Sequence, residues 1–256
     1  MSAPAPGDGP PRTVHVEHVM GTVFSLDVRD ELAPGTVEAV AERLHALDAL
    51  LSTSRPDSEV SRLGRGELDL ADCSPDVREA LALCEAARGA TGGLFDARAG
   101  GRLDPSGVVK GWAVEQAQAL LVAGGSTRHS VNGGGDVAVG RGPAPDRPWR
   151  VGVADPFRPG RLLAAVRVES AGVATSGRAE RGAHVADPRT GAPVTALATA
   201  TVVGSSLLLA DVLATAALVA GRSAPDLLDA HPDHDWLVVA QDGRQRTSPG
   251  WARRTR

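Results

Sequence analysis

Tyrosine is absent from this 256-residue chain, and lysine occurs once, at Lys110. Aromatic residues make up only 3% of the sequence, while Ala, Gly, Arg and Asp are abundant. A bias of this kind follows genome base composition and carries no function by itself. Cysteine occurs twice, at Cys73 and Cys84. With no CxxC spacing there is no zinc ribbon to look for, and two reduced, core-type thiols are expected. An excess of positive charge is also missing. The chain has 27 Lys and Arg against 31 Asp and Glu, a net charge of -4. That argues against a nucleic-acid binder, which normally presents a basic face. It leaves room for an anionic ligand, because backbone N–H groups and a metal can hold phosphate without net positive charge. Long apolar runs are lacking apart from Ser205 to Ala220, which is short for a membrane span and contains Asp211. A buried helix is therefore expected there, and no transmembrane segment. The opening MSAPAPGDGPPRT has no apolar core of the kind a secretory signal needs. It reads as a disordered tail, and the expected location is the cytoplasm.

What is present is enough for a sizeable core, with 42% hydrophobic residues. Strands are predicted near Val14 to Val16 and through Phe24, Leu26 and Val28, with Met20-Gly21-Thr22 between them. A helix is predicted over 35–51, with Val37, Val40, Ala41, Leu44, Leu47 and Leu51 facing inward. Ser74-Pro75 is a helix start, a capping hydroxyl followed by proline at the first helical position. That helix carries Val77, Ala80, Leu81, Cys84 and Ala87 and ends before Gly92-Gly93. Another is predicted over 111–123. Strands follow at 129–131, 137–139, 149–153, 162–168 and 197–203, then the buried helix at 206–220. A last hairpin turns at Asp242-Gly243. Neighbouring strands in succession point to an α+β fold with antiparallel pairing. The expected organisation is a tail over 1–12, one domain over 13–248 and a C-terminal tail over 249–256.

Four stretches carry candidate chemistry. Asp211 and Thr215 lie four residues apart, on one face of an apolar helix. Each needs a partner, either a core hydrogen bond or a hard cation such as Mg²⁺, which takes oxygen ligands. Asn132-Gly133-Gly134-Gly135-Asp136 reads as a tight turn or as a place where a ligand meets bare backbone. It has no GxGxxG pattern and the next segment reads as strand, so a dinucleotide-binding loop of that kind is a poor fit. Phe95-Asp96, then Asp104 to Trp112, lead through glycine into a helix, so an anion could meet the helix end with Lys110 beside it. The alternative is an ordinary loop with a surface lysine. Finally Ala174-Thr175-Ser176-Gly177 precedes His184 to Gly191. His184 near Asp187 reads as an acid–base pair or as a structural histidine before a turn. No G-x-S-x-G elbow is present.

Taken in order, these stretches resemble a known family. Met20-Gly21-Thr22, Asp57 to Leu63, Phe95-Asp96, Lys110-Gly111, Gly134-Gly135-Asp136, Ala174 to Gly177, His184 to Gly191 and Ala210 to Ala216 are similar, in sequence and order, to the ApbE family of FAD:protein FMN transferases. The resemblance spans residues 18 to 221. It implies an α+β, T-fold-like arrangement of mainly antiparallel sheets packed with helices. It implies Mg²⁺-dependent transfer of FMN from FAD to a Ser or Thr hydroxyl of an acceptor protein, releasing AMP. With water as acceptor the same site would be an FAD pyrophosphatase, and without catalysis a flavin-binding protein. By resemblance, Asp211 and Thr215 bind Mg²⁺ through side chains, and Gly107 and Ala214 through main-chain carbonyls. Met20, Phe95, Asp96, Asp104 and Lys110 contact FAD, and His184 is the acid–base residue. The chain departs from the family's pattern where a tyrosine is common near Ser54, where an Asp-Tyr pair gives way to Arg178-Ala179, and in the short stretch between Asp96 and Asp104.

Overall fold

A computed structural model describes residues 12–177 and 186–255. Residues 1–11 of the predicted tail over 1–12, and the stretch 178–185 containing His184, lie outside these residues. Among the described residues ten strands form in chain order. β1 (Thr13–Val19) and β2 (Thr22–Val28) are joined by a two-residue turn in which Met20 and Gly21 both take positive φ, 55° and 67°. β3 (His129–Gly133), β4 (Asp136–Val139), β5 (Trp149–Ala154), β6 (Leu162–Val168), β7 (Ala171–Gly177), β8 (Leu197–Gly204), β9 (Asp235–Ala240) and β10 (Gln245–Thr247) follow. Eight of them make one sheet in the order β1-β2-β3-β4-β7-β8-β9-β10, with antiparallel pairing throughout. β5 and β6 pair separately. The α+β class with antiparallel sheets is thus the observed architecture.

The helices are α1 (Thr36–Leu51), α2 (Glu59–Gly64), α3 (Pro75–Ala90), α4 (Ser106–Ala123), α5 (Leu207–Ala220), α6 (Ala224–Asp229) and α7 (Trp251–Arg254). α3 starts as its sequence dictates: the Ser74 hydroxyl accepts from Val77 N–H, and Pro75 occupies the first turn. α4 begins five residues earlier than the sequence pattern indicates. Asp104 provides the reason, because its carboxylate accepts from Ser106 N–H at 3.0 Å and starts the helix there. Lys110 therefore sits inside a helix and not in a loop before one. The Ala174 to Gly177 stretch, read only as a motif, is the end of a central strand, β7. Its small residues pack under α5 and leave little hydrophobic alternation to read. The predicted C-terminal tail instead folds back as α7, where Trp251 is buried and Arg254 donates to Asp235 at 2.5 Å.

α4 and α5 cover one face of the large sheet, with α1 against α4. This core holds Phe24, Leu26, Leu44, Leu47, Trp112, Leu121, Val131, Leu213 and Leu218. The β5–β6 hairpin and Trp251 cover the other face, burying Val137, Val139, Val173, Val203 and Val239. All eight residues of β8 are buried, as a strand covered on both faces must be. By length and composition Leu207–Asp229 is long and apolar enough to cross a membrane, but 61% of its apolar window is buried inside the protein. Cys73 and Cys84 are both buried and unbridged, and burial pushes the Cys84 thiol up to about 12. Lys110 and Asp211 are brought side by side because α4 and α5 touch at Gly111. A Cβ there would lie 3.0 Å from the Leu208 backbone.

One buried histidine, His129, and one half-buried, His234, should make the fold acid-sensitive. Burial lowers the pKa of His129 and of His234 below the ordinary 6.5. Below about pH 6.5 the unfolded chain binds protons that the folded chain refuses, so stability falls as pH falls through that value. Thermal melts from pH 7.5 to 5 should show a declining Tm. Replacing both histidines with glutamine should flatten that decline; an equally steep decline in the double variant would contradict this assignment.

Candidate functional site

The site grows from the first turns of α4. Lys110 donates to the Asp136 carboxylate and lies 3.5 Å from Asp211 Oδ2. Its side chain is 18% exposed, against 1% for Asp136 and 0% for Asp211. Each partner comes from a different element. Asp136 opens β4, just after the Gly134-Gly135 turn, whose φ values of 59° and 100° require glycine. The Asn132 side chain accepts from Gly135 N–H at 2.9 Å and closes that turn. Asp136 Oδ1 accepts from Thr175 N–H at 2.9 Å, which ties it to the end of β7. Asp211 rises from the second turn of α5. Burial and the nearby Asp211 carboxylate push Asp136 up to about 6, against the pull of Lys110 and of the Thr175 N–H.

One turn further along α5, Thr215 Oγ1 lies 2.9 Å from the Ser176 hydroxyl. Thr199 in turn donates to the Ser176 carbonyl at 3.0 Å, and Thr175 and Thr201 pair their hydroxyls at 2.9 Å. That threonine pair lies on the sheet's other face with Val173 and Val203, so the helix face of Asp211 and Thr215 looks onto the Ser176 hydroxyl. These are hard oxygen donors. Two carboxylates facing each other, one with its pKa driven upward by the other, are a setting that a divalent cation relieves. The donor set therefore fits Mg²⁺. No cluster of three His, Cys, Asp or Glu occurs among the described residues. The oxygen donors at hand are the mixed hydroxyl, carbonyl and carboxylate set that Mg²⁺ accepts.

Two cavities open on either side of this cluster. The first, about 620 Å³, is lined by Met20, Leu47, Leu51 and Val109 on its apolar side, by Ser52 to Arg55 on its polar side, and by Lys110 and Gly134. The second, about 560 Å³, is lined by Phe95, Asp96, Asp104, Gly107, Thr215 and the loop 186–191. Ser106 lines both. The residues proposed from sequence thus divide between the two. Met20 and Lys110 face the first, while Asp96, Asp104, Gly107 and Thr215 line the second. Phe95 is 93% buried and packs over Gly107, where a Cβ would come within 2.7 Å of its ring. Ala214 is fully buried in α5. In the loop, Arg189 holds the Asp187 carboxylate at 2.7 Å and pulls its pKa down to about 2. Asp187 is thus committed to Arg189, and a role in orienting His184 is not visible among the described residues. Sequence reasoning missed the partnership of Lys110 with Asp136 and the hydroxyl of Ser176. A lone lysine in the chain was the signal for the first. The second had none, because a serine in a strand of small residues looks structural.

A half-buried ammonium between two buried carboxylates, oxygen donors on a helix and two cavities that share Ser106 at a helix start define a class of site. It is one suited to a phosphorylated, two-part ligand held with a hard cation. The sequence profile of the ApbE family matches residues 20–102 and 97–238, and the chain belongs to that family. A FAD:protein FMN transferase of Rhodobacter capsulatus is 36% identical over 129 residues, which cover 47% of this chain and 24% of that protein. One of Treponema pallidum is 34% identical over 179 residues, 62% of this chain and 49% of that one. The chain thus matches about half or less of the length of these relatives. The flavin transferase ApbE of Vibrio cholerae superposes with a TM-score of 0.84 at 20% identity, covering 95% of this chain and 99% of that one. The ApbE protein of Thermotoga maritima gives 0.83 at 21%, covering 96% and 100%. At these identities the structures establish a shared fold.

Proposed function

We propose that this protein transfers the FMN half of FAD to a Ser or Thr hydroxyl of an acceptor protein and releases AMP. The observation that carries the reading is Lys110 between Asp136 and Asp211, lining the first of two cavities that share Ser106 and are each large enough for half of a dinucleotide. The pyrophosphate would lie against the first turn of α4, with Lys110 offering it a positive charge. The flavin would enter the first cavity over Met20. The nucleotide end would enter the second, past Phe95 and Asp96. The Asp211 and Thr215 side chains, with the Gly107 and Ala214 carbonyls, would hold Mg²⁺. When bound, that ion would neutralise pyrophosphate charge and polarise the attacked phosphorus. His184 would take the proton from the attacking hydroxyl. The new P–O bond would form to the acceptor oxygen, the P–O bond to the AMP oxygen would break, and AMP would leave. Positioning and charge neutralisation supply most of the acceleration in such transfers.

Incubation with FAD, Mg²⁺ and a hydroxyl-bearing acceptor protein, followed by chromatography for AMP and mass analysis of the acceptor, tests this. AMP together with flavinylated acceptor is expected, EDTA should abolish both, and added Mg²⁺ should restore them. AMP with FMN left free points to a pyrophosphatase. Tight FAD binding without AMP points to a flavin carrier, and full activity in metal-free protein removes the metal from the reading. His184→Ala is expected to lower turnover by about 10²–10⁴-fold while FAD affinity changes little. A collapse of FAD affinity with turnover intact at saturation would make His184 a binding contact instead.

A further inference from the structure

The first cavity contains a polar pair that the proposed chemistry leaves unused. Asp48, on the last turn of α1, contributes the cavity's one carboxylate. Among the described residues its side chain has no ion pair or hydrogen bond, although Arg55 lines the same cavity. Arg55 reaches only Asp57, at 3.3 Å, and both are exposed. Lys110, the other cation of the cavity, is committed to Asp136 and Asp211. Between Asp48 and Arg55 stand three hydroxyls, Ser52, Thr53 and Ser54, with Ser52 Oγ and Ser54 Oγ 3.0 Å apart. The segment is braced from behind, because Ser58 and Ser61 both donate to the Ser52 carbonyl, at 2.7 and 3.3 Å. No Phe, Trp or Tyr lines this cavity. A planar heterocycle lying on Met20, Leu47, Leu51 and Val109 would find apolar contact but no ring to stack on. Its recognition must come from its polar edge.

The polar lining offers one carboxylate acceptor, Asp48, together with hydroxyl and guanidinium donors from Ser52 to Arg55. The pyrimidine edge of an oxidised flavin carries the complement, an N3–H donor flanked by two carbonyl acceptors. We propose that Asp48 accepts the flavin N3–H while Arg55 and the Ser52–Ser54 hydroxyls donate to the flanking carbonyls, so that this wall sets the specificity of the site for the flavin imide. The inference rests on the proposed flavin function and deepens it. It assigns ring selection to a charged hydrogen bond and not to aromatic stacking. A bond to an ionised acceptor is stronger than a neutral one, and leaving that acceptor unpaired against a ligand is unfavourable.

Riboflavin and its N3-methyl derivative test this, because neither carries a pyrophosphate and they differ only at the proposed contact. Binding of each is measured by fluorescence titration or calorimetry to wild type, Asp48→Ala, Asp48→Asn and Arg55→Ala, with FAD as the reference ligand. The wild type should bind N3-methylriboflavin about ten- to a hundredfold more weakly than riboflavin. Asp48→Ala should bring the two within about twofold of each other, chiefly by weakening riboflavin. Asp48→Asn keeps the side chain's size, so a smaller ratio there separates a lost charged bond from a methyl clash. Arg55→Ala should weaken both ligands and leave their ratio intact. Equal affinity of the wild type for the two flavins, or an unchanged ratio in both Asp48 variants, overturns the assignment while leaving the flavin site standing. Failure of the wild type to bind FAD or riboflavin with Mg²⁺ present overturns the flavin reading itself, and this inference with it.

Discussion

An Asp211→Asn protein is expected to fold, to melt within a few degrees of wild type, and to lose Mg²⁺-dependent AMP release by about 10²–10³-fold. Asp211 is fully buried in a helix whose other fully buried residues are all apolar. It faces Asp136 as well as Lys110, and its charge raises the pKa of Asp136. Removing that charge weakens one ion pair and also relieves a repulsion, so the two effects on stability oppose each other. The metal's share has no such compensation. Mg²⁺ with FAD should raise the wild-type Tm, as any ligand of the folded state does, and should leave the variant's Tm unmoved. Thermal melts with and without Mg²⁺ and FAD, beside an AMP assay, decide the matter. A variant that keeps the wild-type Mg²⁺ response in both measurements would falsify the ligand role.

Lys110→Met is expected to harm stability as well as activity. The substitution keeps much of the side chain's length but withdraws the ammonium from between two buried carboxylates. Breaking a buried pair by removing one partner costs about 3–5 kcal/mol, and the partial exposure of Lys110 argues for the lower end. In a chain of this size, about 3 kcal/mol lowers Tm by about 6–12 °C. Adding Asp136→Asn should recover much of that loss, because the second substitution removes one of the stranded charges. Activity should not return in the double variant, since the charge offered to the pyrophosphate is still missing. A single variant as stable as wild type would show that the carboxylates are compensated elsewhere.

Much of this was legible in the sequence, for identifiable reasons. α3 reads clearly because Ser74-Pro75 starts it and one face carries five apolar residues, all of them buried. α5 reads clearly because a polar pair four residues apart interrupts a helix of otherwise high hydropathy. The start of α4 was less visible. Pro105 and Gly107 suggest a loop, and the carboxylate of Asp104 that organises the first turn makes its contact only once the chain has folded. β7 was hidden for a different reason. It lies between β4 and β8 and under α5, so its residues are small on both faces and show no alternation. The pairing of Lys110 with Asp136 joins residues 26 apart on different elements, and no local pattern encodes it. The wall from Asp48 to Arg55 was also missed. It spans a helix end and a loop, and its members become neighbours of Met20 and Lys110 only through the packing of α1 on α4.

Because Lys110 is the chain's one lysine, the heart of this site is chemically addressable in a way few active sites are. An amine-directed acylating reagent can modify only this side chain and the α-amine of the chain. Its side chain is 18% exposed and faces the first cavity. The extent of acylation, read as a single mass increment on one peptide, therefore becomes a gauge of occupancy. Ligands that fill the first cavity should shield the amine, and ligands bound elsewhere should leave it open. The same singularity frees the rest of the surface for attachment through arginine- or carboxylate-directed chemistry without touching the ammonium on which the site depends.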